Sequence, residues 1–282
     1  MNDGTLYVVA TPIGNLADIS QRAAEVLAKV NLIAAEDTRV TNKLLQHLGI
    51  TGRMMSLHEH NELKRSEQLL SHLRHGEDIA LVSDAGTPLI SDPGFPLVRR
   101  VREAGIRVVP VPGPSAIISA LSVAGLPTDR FVFEGFLPGK AASRRTRLEQ
   151  FQSETRTLVF YESPHRVLAC LKDMRDCFGS DREAVVAREL TKTFETVRNG
   201  TLAELCEWME QDTNQQRGEF VLLIAGADSV ESPQQVDEKH VLKVLLDELP
   251  VKQAAALAAR ICEGKRNHFY QLALEMKAST SK

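Results

Sequence analysis

From residue 6 to residue 111, short β-branched runs alternate with stretches whose apolar residues recur every three or four positions. This alternation narrows the available folds more than any other feature of the chain. A strand followed by a crossover helix and another strand can only return parallel, so the pattern describes βαβ units on one sheet with helices on both faces. Strands are expected at 6–10, 32–35, 54–57, 79–82 and 107–111, with amphipathic helices at 20–30, 38–48, 63–75 and 95–104. The expected class is therefore α/β, beginning with a mostly parallel, doubly wound sheet.

The run VPVPGPS, Val109 to Ser115, then sets three prolines close together. Proline cannot donate to a sheet ladder, so this run marks a rigid turn at a junction. Beyond one further helix at 115–124 the rhythm changes. Strands are expected at 131–136, 157–161, 184–188, 194–198 and 219–224, some joined by links too short for a crossover, which points to an antiparallel or mixed sheet. The polar run SVESPQQVD reads as a linker, and three short helical segments follow it. The expected domains are 1–113, 114–228, a linker at 229–237 and a helical tail at 238–282. Within the tail, KQAAALAARICEG ends on Gly264 as a cap, and the next segment starts at Arg266, so the pair resembles a helix-turn-helix.

Composition removes several function classes. A chain of 282 residues with 25% charged residues and no long apolar run is neither a membrane protein nor disordered. The opening MNDGTLYVVATP lacks the basic and apolar regions of a secretory signal. Cys170, Cys177, Cys206 and Cys262 include no C-x-x-C pair, so a cytoplasmic location is expected. A net charge of −3 excludes a protein that coats nucleic acid indiscriminately. Contact with RNA must then be local, through Arg99, Arg100 and Arg102, through Lys140, Arg144, Arg145 and Arg147, or through Lys265 and Arg266. In LHEHNE the H-E-x-x-H spacing of a zinc site is absent, so no metal is expected.

Three Gly/Pro loops fall at expected strand ends, where open α/β sheets place their ligands: ATPIGNL from Ala10, SDAGTPLISDPG from Ser83 and VPGPSA from Val111. None carries a phosphate-cradling G-x-x-x-x-G-K-[ST] or G-x-G-x-x-G. Spacing alone does not name the ligand.

Taken together and in order, VATPIGNLADIS, AEDTR, SDAGTPLISDPG, VPGPSA, FEGFLP, FYESPHR, ARELTK and GEFVLLI resemble the ribosomal RNA small subunit methyltransferase I family of the tetrapyrrole methylase superfamily. The resemblance implies a two-domain homodimer with S-adenosylmethionine folded in a cleft and held largely by main-chain groups. Carried onto this sequence, the cofactor positions are Pro12, Asp84, Ala85, Gly86, Ile90, Ser115, Ala116, Tyr161, Ala187 and Gly218. The substrate implied is 16S ribosomal RNA or the small ribosomal subunit, methylated at the ribose 2′-hydroxyl of a cytidine.

That hydroxyl is a poor nucleophile, so titratable residues on cleft loops are candidates for catalysis. Lys192 is the expected stabiliser of the developing alkoxide, Asp37 a base or base-orienter, and Arg39 a phosphate clamp or a partner that organises Asp37. RNA contacts are expected from His58 and Asn61, from Arg144, Arg145 and Arg147, and from Lys265 and Arg266. Two alternatives remain at this level: a porphyrinoid methylase of the same fold, and a non-enzymatic nucleotide- or RNA-binding module.

Overall fold

The computed structural model describes residues 3–227, 238–262 and 264–280. Residues 3–227 form one compact unit and residues 238–280 a second. The expected linker at 229–237 lies outside the described residues.

The larger unit begins with β1 (Leu6–Val9), α1 (Gln21–Lys29), β2 (Leu32–Ala35), α2 (Thr38–His47), β3 (Met54–Ser56), α3 (Glu62–Arg74), β4 (Ile79–Val82), α4 (Phe95–Glu103) and β5 (Val108–Val111). The strands pair in the order β3-β2-β4-β1-β5, every pair parallel. Strand periodicity divides the core in two. Leu6, Leu32, Ala34, Ile79 and Leu81 pack on one face against Leu69, Leu73, Leu97 and Val101 of α3 and α4. Their neighbours Val9, Ile33, Ala35, Ala80 and Val82 pack on the other against Ala23, Leu27, Leu44 and Leu45 of α1 and α2. The central strands β2 and β4 are buried at all four positions, which is why they read as unbroken apolar runs. Pro110 is exposed on β5, an edge strand, where its missing N–H leaves no ladder bond unmade.

After α5 (Ala116–Ala124) come β6 (Phe131–Phe136), α6 (Ala141–Glu149), β7 (Thr157–Glu162), α7 (Val167–Phe178), β8 (Glu183–Arg188), β9 (Thr196–Thr201), α8 (Leu202–Gln211) and β10 (Phe220–Ile224). The second sheet runs β6-β7-β10-β8-β9. Only β6 and β7 are parallel, and the other pairs are antiparallel, so the sheet is mixed as expected. Helix α5 covers one face through Ile117, Ala120, Leu121 and Ala124 against Val159, Val185, Ala187, Val221 and Leu223. Helices α6, α7 and α8 cover the other around Leu158, Phe160, Val186 and Leu222.

Strand β9 starts two residues later than the apolar alternation predicts. Glu189 and Thr191 occupy the left-handed region at φ +50° and +66°, and the Arg188 guanidinium donates to the Phe194 carbonyl. Thr191 N–H donates to the Glu195 carboxylate at 2.6 Å. Residues 189–195 are therefore spent on a folded loop, and Phe194 is left exposed.

The smaller unit packs α9 (Glu238–Glu248), α10 (Val251–Ile261) and α11 (Arg266–Thr280) around Leu242, Ala254, Ala255, Ala258, Phe269 and Ala273. Alanines on α10 let its neighbours approach closely. Gly264 closes the turn with its N–H bonded to the Ala259 carbonyl at 2.9 Å. Among the described residues no helix is long and apolar enough to cross a membrane.

Candidate active site

The three Gly/Pro loops are tied together by their own backbones. Thr11 and Gly86 exchange N–H···O bonds of 2.9 and 3.1 Å, and the Thr11 hydroxyl donates to the Ser83 carbonyl at 3.1 Å. The Thr87 hydroxyl donates to the Pro114 carbonyl at 3.2 Å, joining the second loop to the third. Beside them lies a cavity of about 350 Å³, walled by these loops, by the N-terminus of α5 and by the ends of β6, β7, β8 and β10. A volume of that order suits a small-molecule ligand.

Eight expected cofactor positions line this cavity: Asp84, Ala85, Gly86, Ile90, Ser115, Ala116, Tyr161 and Ala187. Pro12 and Gly218 are not among its lining residues. Pro12 follows the Thr11–Gly86 bridge. Gly218 stands at φ +100° with Glu189 packed over it so closely that a β-carbon would fall 2.5 Å from the Glu189 side chain.

The backbone around the cavity is held in unusual conformations. Leu89, Ser91, Glu189 and Thr191 have positive φ without being glycine, and all four belong to two loops that contribute lining residues. Such conformations persist only where the surroundings enforce them, and they concentrate where a site must be pre-organised.

The cavity is strongly one-sided in charge. Glu36, Asp84, Asp92, Glu162 and Glu219 line it, and among the described residues no Lys, Arg or His does. Burial raises the Glu36 and Asp84 carboxyls. Burial also pushes Asp92 up to about 6, against a hydrogen bond from Ser83 and with the help of Glu36 and Asp84. Tyr161 is raised to about 12 by burial and by Asp92, so its phenol stays neutral. Its ring meets Phe133 and Phe136 at 5.0 and 5.6 Å, forming an aromatic wall. Glu162 is wholly buried and accepts from Ser163 N at 2.8 Å and from Arg166 Nη2 at 3.1 Å.

The expected catalytic residues stand next to the lining rather than in it. Asp37 caps α2, and its backbone N–H donates to Asp84 Oδ1 at 2.9 Å. Its carboxylate grips the Arg39 guanidinium at 2.5 to 3.1 Å. Hydrogen bonds from Arg39 lower Asp37 to about 2, so at neutral pH it is a fixed anion and a poor base. The Arg39 side chain is 87% exposed. Lys192 Nζ bonds Glu189 Oε1 and Glu219 Oε2, each at 2.9 Å. Burial works to lower the Lys192 pKa, but the two carboxylates outweigh it and hold the ammonium above its ordinary value. Its stem passes Gly14, where a β-carbon would fall 2.5 Å from Lys192 Cγ. Asn15 N–H donates to the Thr191 hydroxyl at 3.0 Å, so Lys192 sits where the first loop meets the β8–β9 loop.

The expected RNA contacts divide. His58 is exposed, and Asn61 is partly committed to a local turn, its amide oxygen taking the His58 N–H at 3.0 Å. Arg145 and Arg147 keep side-chain exposures of 54% and 44%, and Lys265 and Arg266 are exposed in the helical unit. Arg144 is corrected: its side chain is only 4% exposed and its guanidinium binds the equally buried Asp173 at 2.6 Å. On α6 it shares the inward stripe with Leu148, four residues on, so it belongs to the core between α6 and α7.

Sequence reasoning marked Asp92 in the second Gly/Pro loop but assigned no role to it, nor to Glu36, Glu162 or Glu219. Each lies inside a quoted motif at a strand end, and that position was the available signal.

The comparisons agree with this geometry. Residues 5–206 match the Tetrapyrrole (Corrin/Porphyrin) Methylases, and residues 232–277 match the RsmI C-terminal HTH domain. A Pseudomonas aeruginosa protein named ribosomal RNA small subunit methyltransferase I is 58% identical, covering 99% of this chain and 100% of its own. One of the same name from Escherichia coli O157:H7 is 55% identical over 98% and 96%. Among solved structures, a cobalt precorrin-4 methyltransferase superposes with a TM-score of 0.59 at 17% identity, covering 78% of this chain and 94% of its own. A Thermus thermophilus uroporphyrin-III C-methyl transferase complexed with S-adenyl homocysteine superposes with a TM-score of 0.55 at 18% identity, covering 79% and 97%. Near-complete coverage at such identity, with two family profiles meeting the two units of the fold, shows that the chain belongs to the ribosomal RNA small subunit methyltransferase I family of the tetrapyrrole methylases.

Proposed function

We propose that the chain transfers the methyl group of S-adenosylmethionine to the ribose 2′-hydroxyl of a cytidine in 16S ribosomal RNA. The observation that carries the donor assignment is the cavity that, among the described residues, five carboxylates and no cationic side chain line. A site of that charge favours a cation and disfavours a nucleotide phosphate. The bound donor supplies a methyl group on a positively charged sulfur. Glu36, Asp84 and Asp92 offset that charge, and Ala85, Gly86, Ala116 and Ala187 leave room for backbone groups to approach the ligand. The N-terminus of α5, where Ser115 makes no side-chain capping bond, offers its positive end to an anionic group. Pro12 and Gly218 act from behind, by shaping the first loop and by seating Glu189.

At the cavity's margin stand two cations, each held by carboxylates. Lys192 would stabilise the negative charge that develops on the attacking oxygen as the hydroxyl proton passes to solvent and the donor departs as a neutral thioether. Arg39, organised by Asp37, clamps a substrate phosphate. Arg145, Arg147, His58 and Asn61 on the larger unit, and Lys265 and Arg266 on the helical one, form local RNA contacts on an acidic protein. The reading includes a homodimer acting in the cytoplasm on 16S RNA or the small subunit, with lobes at 1–113 and 114–228 and the helical tail from 238.

Two measurements test this. Calorimetry should find S-adenosylmethionine binding at one site per chain, and its absence would remove the enzyme reading altogether. Ribose-methylation mapping of 16S RNA from cells lacking the protein should lose one signal at a cytidine, restored by the parent gene. A full set of ribose methylations in those cells would overturn the substrate.

A further inference from the structure

The two carboxylates that hold Lys192 are not equivalent. Glu189 Oε1 accepts from Lys192 Nζ at 2.9 Å and from the Glu219 N–H at 3.0 Å. Its side chain is 17% exposed and packs against Gly218, and its backbone sits at φ +50°. Glu219 reaches the same ammonium at 2.9 Å with a side chain 75% exposed, and it lines the cavity. One partner is built in and the other is loosely placed. We propose that Glu189 is the positioning residue that fixes the Lys192 ammonium, while Glu219 is a placeholder whose Oε2 occupies the position taken by the substrate oxygen during methyl transfer.

Strain and packing support the division. A left-handed Glu189 backbone persists where its surroundings enforce it, and its side chain is locked between Gly218 and the start of β10. An exposed ion pair such as Lys192–Glu219 is worth little and exchanges readily, as a placeholder requires. The remaining charged neighbours are otherwise engaged. The Arg188 guanidinium is bound to the Arg217 and Phe194 carbonyls, and the Glu195 carboxylate to the Thr191 N–H.

The inference rests on Lys192 as the oxyanion partner, so the test begins with Lys192→Met at saturating S-adenosylmethionine on 16S RNA or small subunits. A variant with parental kcat removes that reading itself. With Lys192 shown to be required, Glu189→Gln should lower kcat at least tenfold, bring the alkaline limb of the rate profile to lower pH and leave KM for RNA within twofold. Glu219→Gln should instead lower KM for RNA several-fold, because the Glu219 carboxylate no longer competes with the substrate oxygen for the ammonium. Gly218→Ala displaces Glu189 without removing a charge and should repeat the Glu189→Gln profile, which covers misfolding of either variant. Equal losses of kcat in Glu189→Gln and Glu219→Gln, or an alkaline limb that stays in place in Glu189→Gln and Gly218→Ala, would overturn the assignment while Lys192 keeps its role.

Discussion

Replacing Asp92 by Asn should make the protein more stable and a worse binder at the same time. Asp92 is lifted from 3.8 to about 6, chiefly by burial, so the folded chain holds its proton more tightly than the unfolded chain does. Ionised Asp92 therefore opposes folding above pH 6, and that penalty fades as the pH falls towards 3.8. The difference between 3.8 and about 6 is worth ~3 kcal/mol at about 1.36 kcal/mol for each tenfold change. Asp92 keeps part of its solvent contact, so roughly half survives screening, about 1.5 kcal/mol. In a unit of this size that raises Tm by roughly 3–6 °C.

The same substitution removes one of the charges that offset a cationic donor. A loss of ~1.4 kcal/mol weakens S-adenosylmethionine binding about tenfold. Thermal melts and calorimetry at pH 7.5 and pH 5.0 check both halves. The Tm gain should be full at pH 7.5 and shrink to about half at pH 5.0, where the parent carboxyl is largely protonated. A variant that melts lower than the parent, or that melts higher by the same amount at both pH values, contradicts the electrostatic account. Unchanged donor affinity contradicts the role of the acidic wall.

Arg144→Ala should lower Tm by roughly 4–12 °C, because it strips the buried partner from Asp173 at a cost of about 2–3 kcal/mol; Arg145 also reaches Asp173 at 2.6 Å, but from an exposed position, so Arg145→Ala should lower Tm less and weaken RNA binding. Parallel melts and RNA titrations separate the two, and similar behaviour of both variants refutes the assignment of neighbouring arginines to core and surface. Asp37 is held at about 2 by Arg39, so no acid limb from this group should enter kcat/KM between pH 5 and 9, and Asp37→Asn should raise KM for RNA by freeing Arg39; a limb that Asp37→Asn abolishes would restore Asp37 as a base. Gly14→Ala places a methyl 2.5 Å from Lys192 Cγ and 2.8 Å from Thr191 Oγ1; kcat should fall at least tenfold with donor affinity little changed, and parental kcat would show that the contact between these loops is immaterial.

What the sequence makes legible is whatever a local pattern dictates. Unbroken apolar runs such as LIAA and IALV announce strands covered on both faces, and glycines and prolines at their ends announce loops that cannot continue them. Six of the eight expected cavity positions lie in those loops, and all eight came from the resemblance to a family rather than from spacing. Contacts between elements distant in sequence are less legible. Whether Arg144 or Arg145 turns inward depends on how α6 rotates against α7, though Leu148 at i+4 from Arg144 marks the buried stripe. The start of β9 was misplaced because FETVR alternates like a strand, while the Arg188 and Glu195 side chains fold residues 189–195 into a loop. The acid wall is hidden for a related reason: Glu36, Glu162 and Glu219 come from the ends of β2, β7 and β10 and Asp92 from the loop before α4, and nothing local says that they share one cavity.

That sharing bears on how the two substrates are kept apart. On the proposed reading a donor that carries positive charge and an RNA that carries negative charge meet at one atom, and a single pocket cannot favour both through charge. Here the acidic groups line the cavity, while the cations Lys192 and Arg39 are absent from its lining and tied to carboxylates of their own: Glu189 and Glu219 for the first, Asp37 for the second. Glu219 belongs to both sets, since it lines the cavity and binds Lys192. The boundary between the regions therefore runs through one exposed carboxylate, and on the proposed reading the ease with which it leaves Lys192 would set how closely an RNA oxygen approaches the donor.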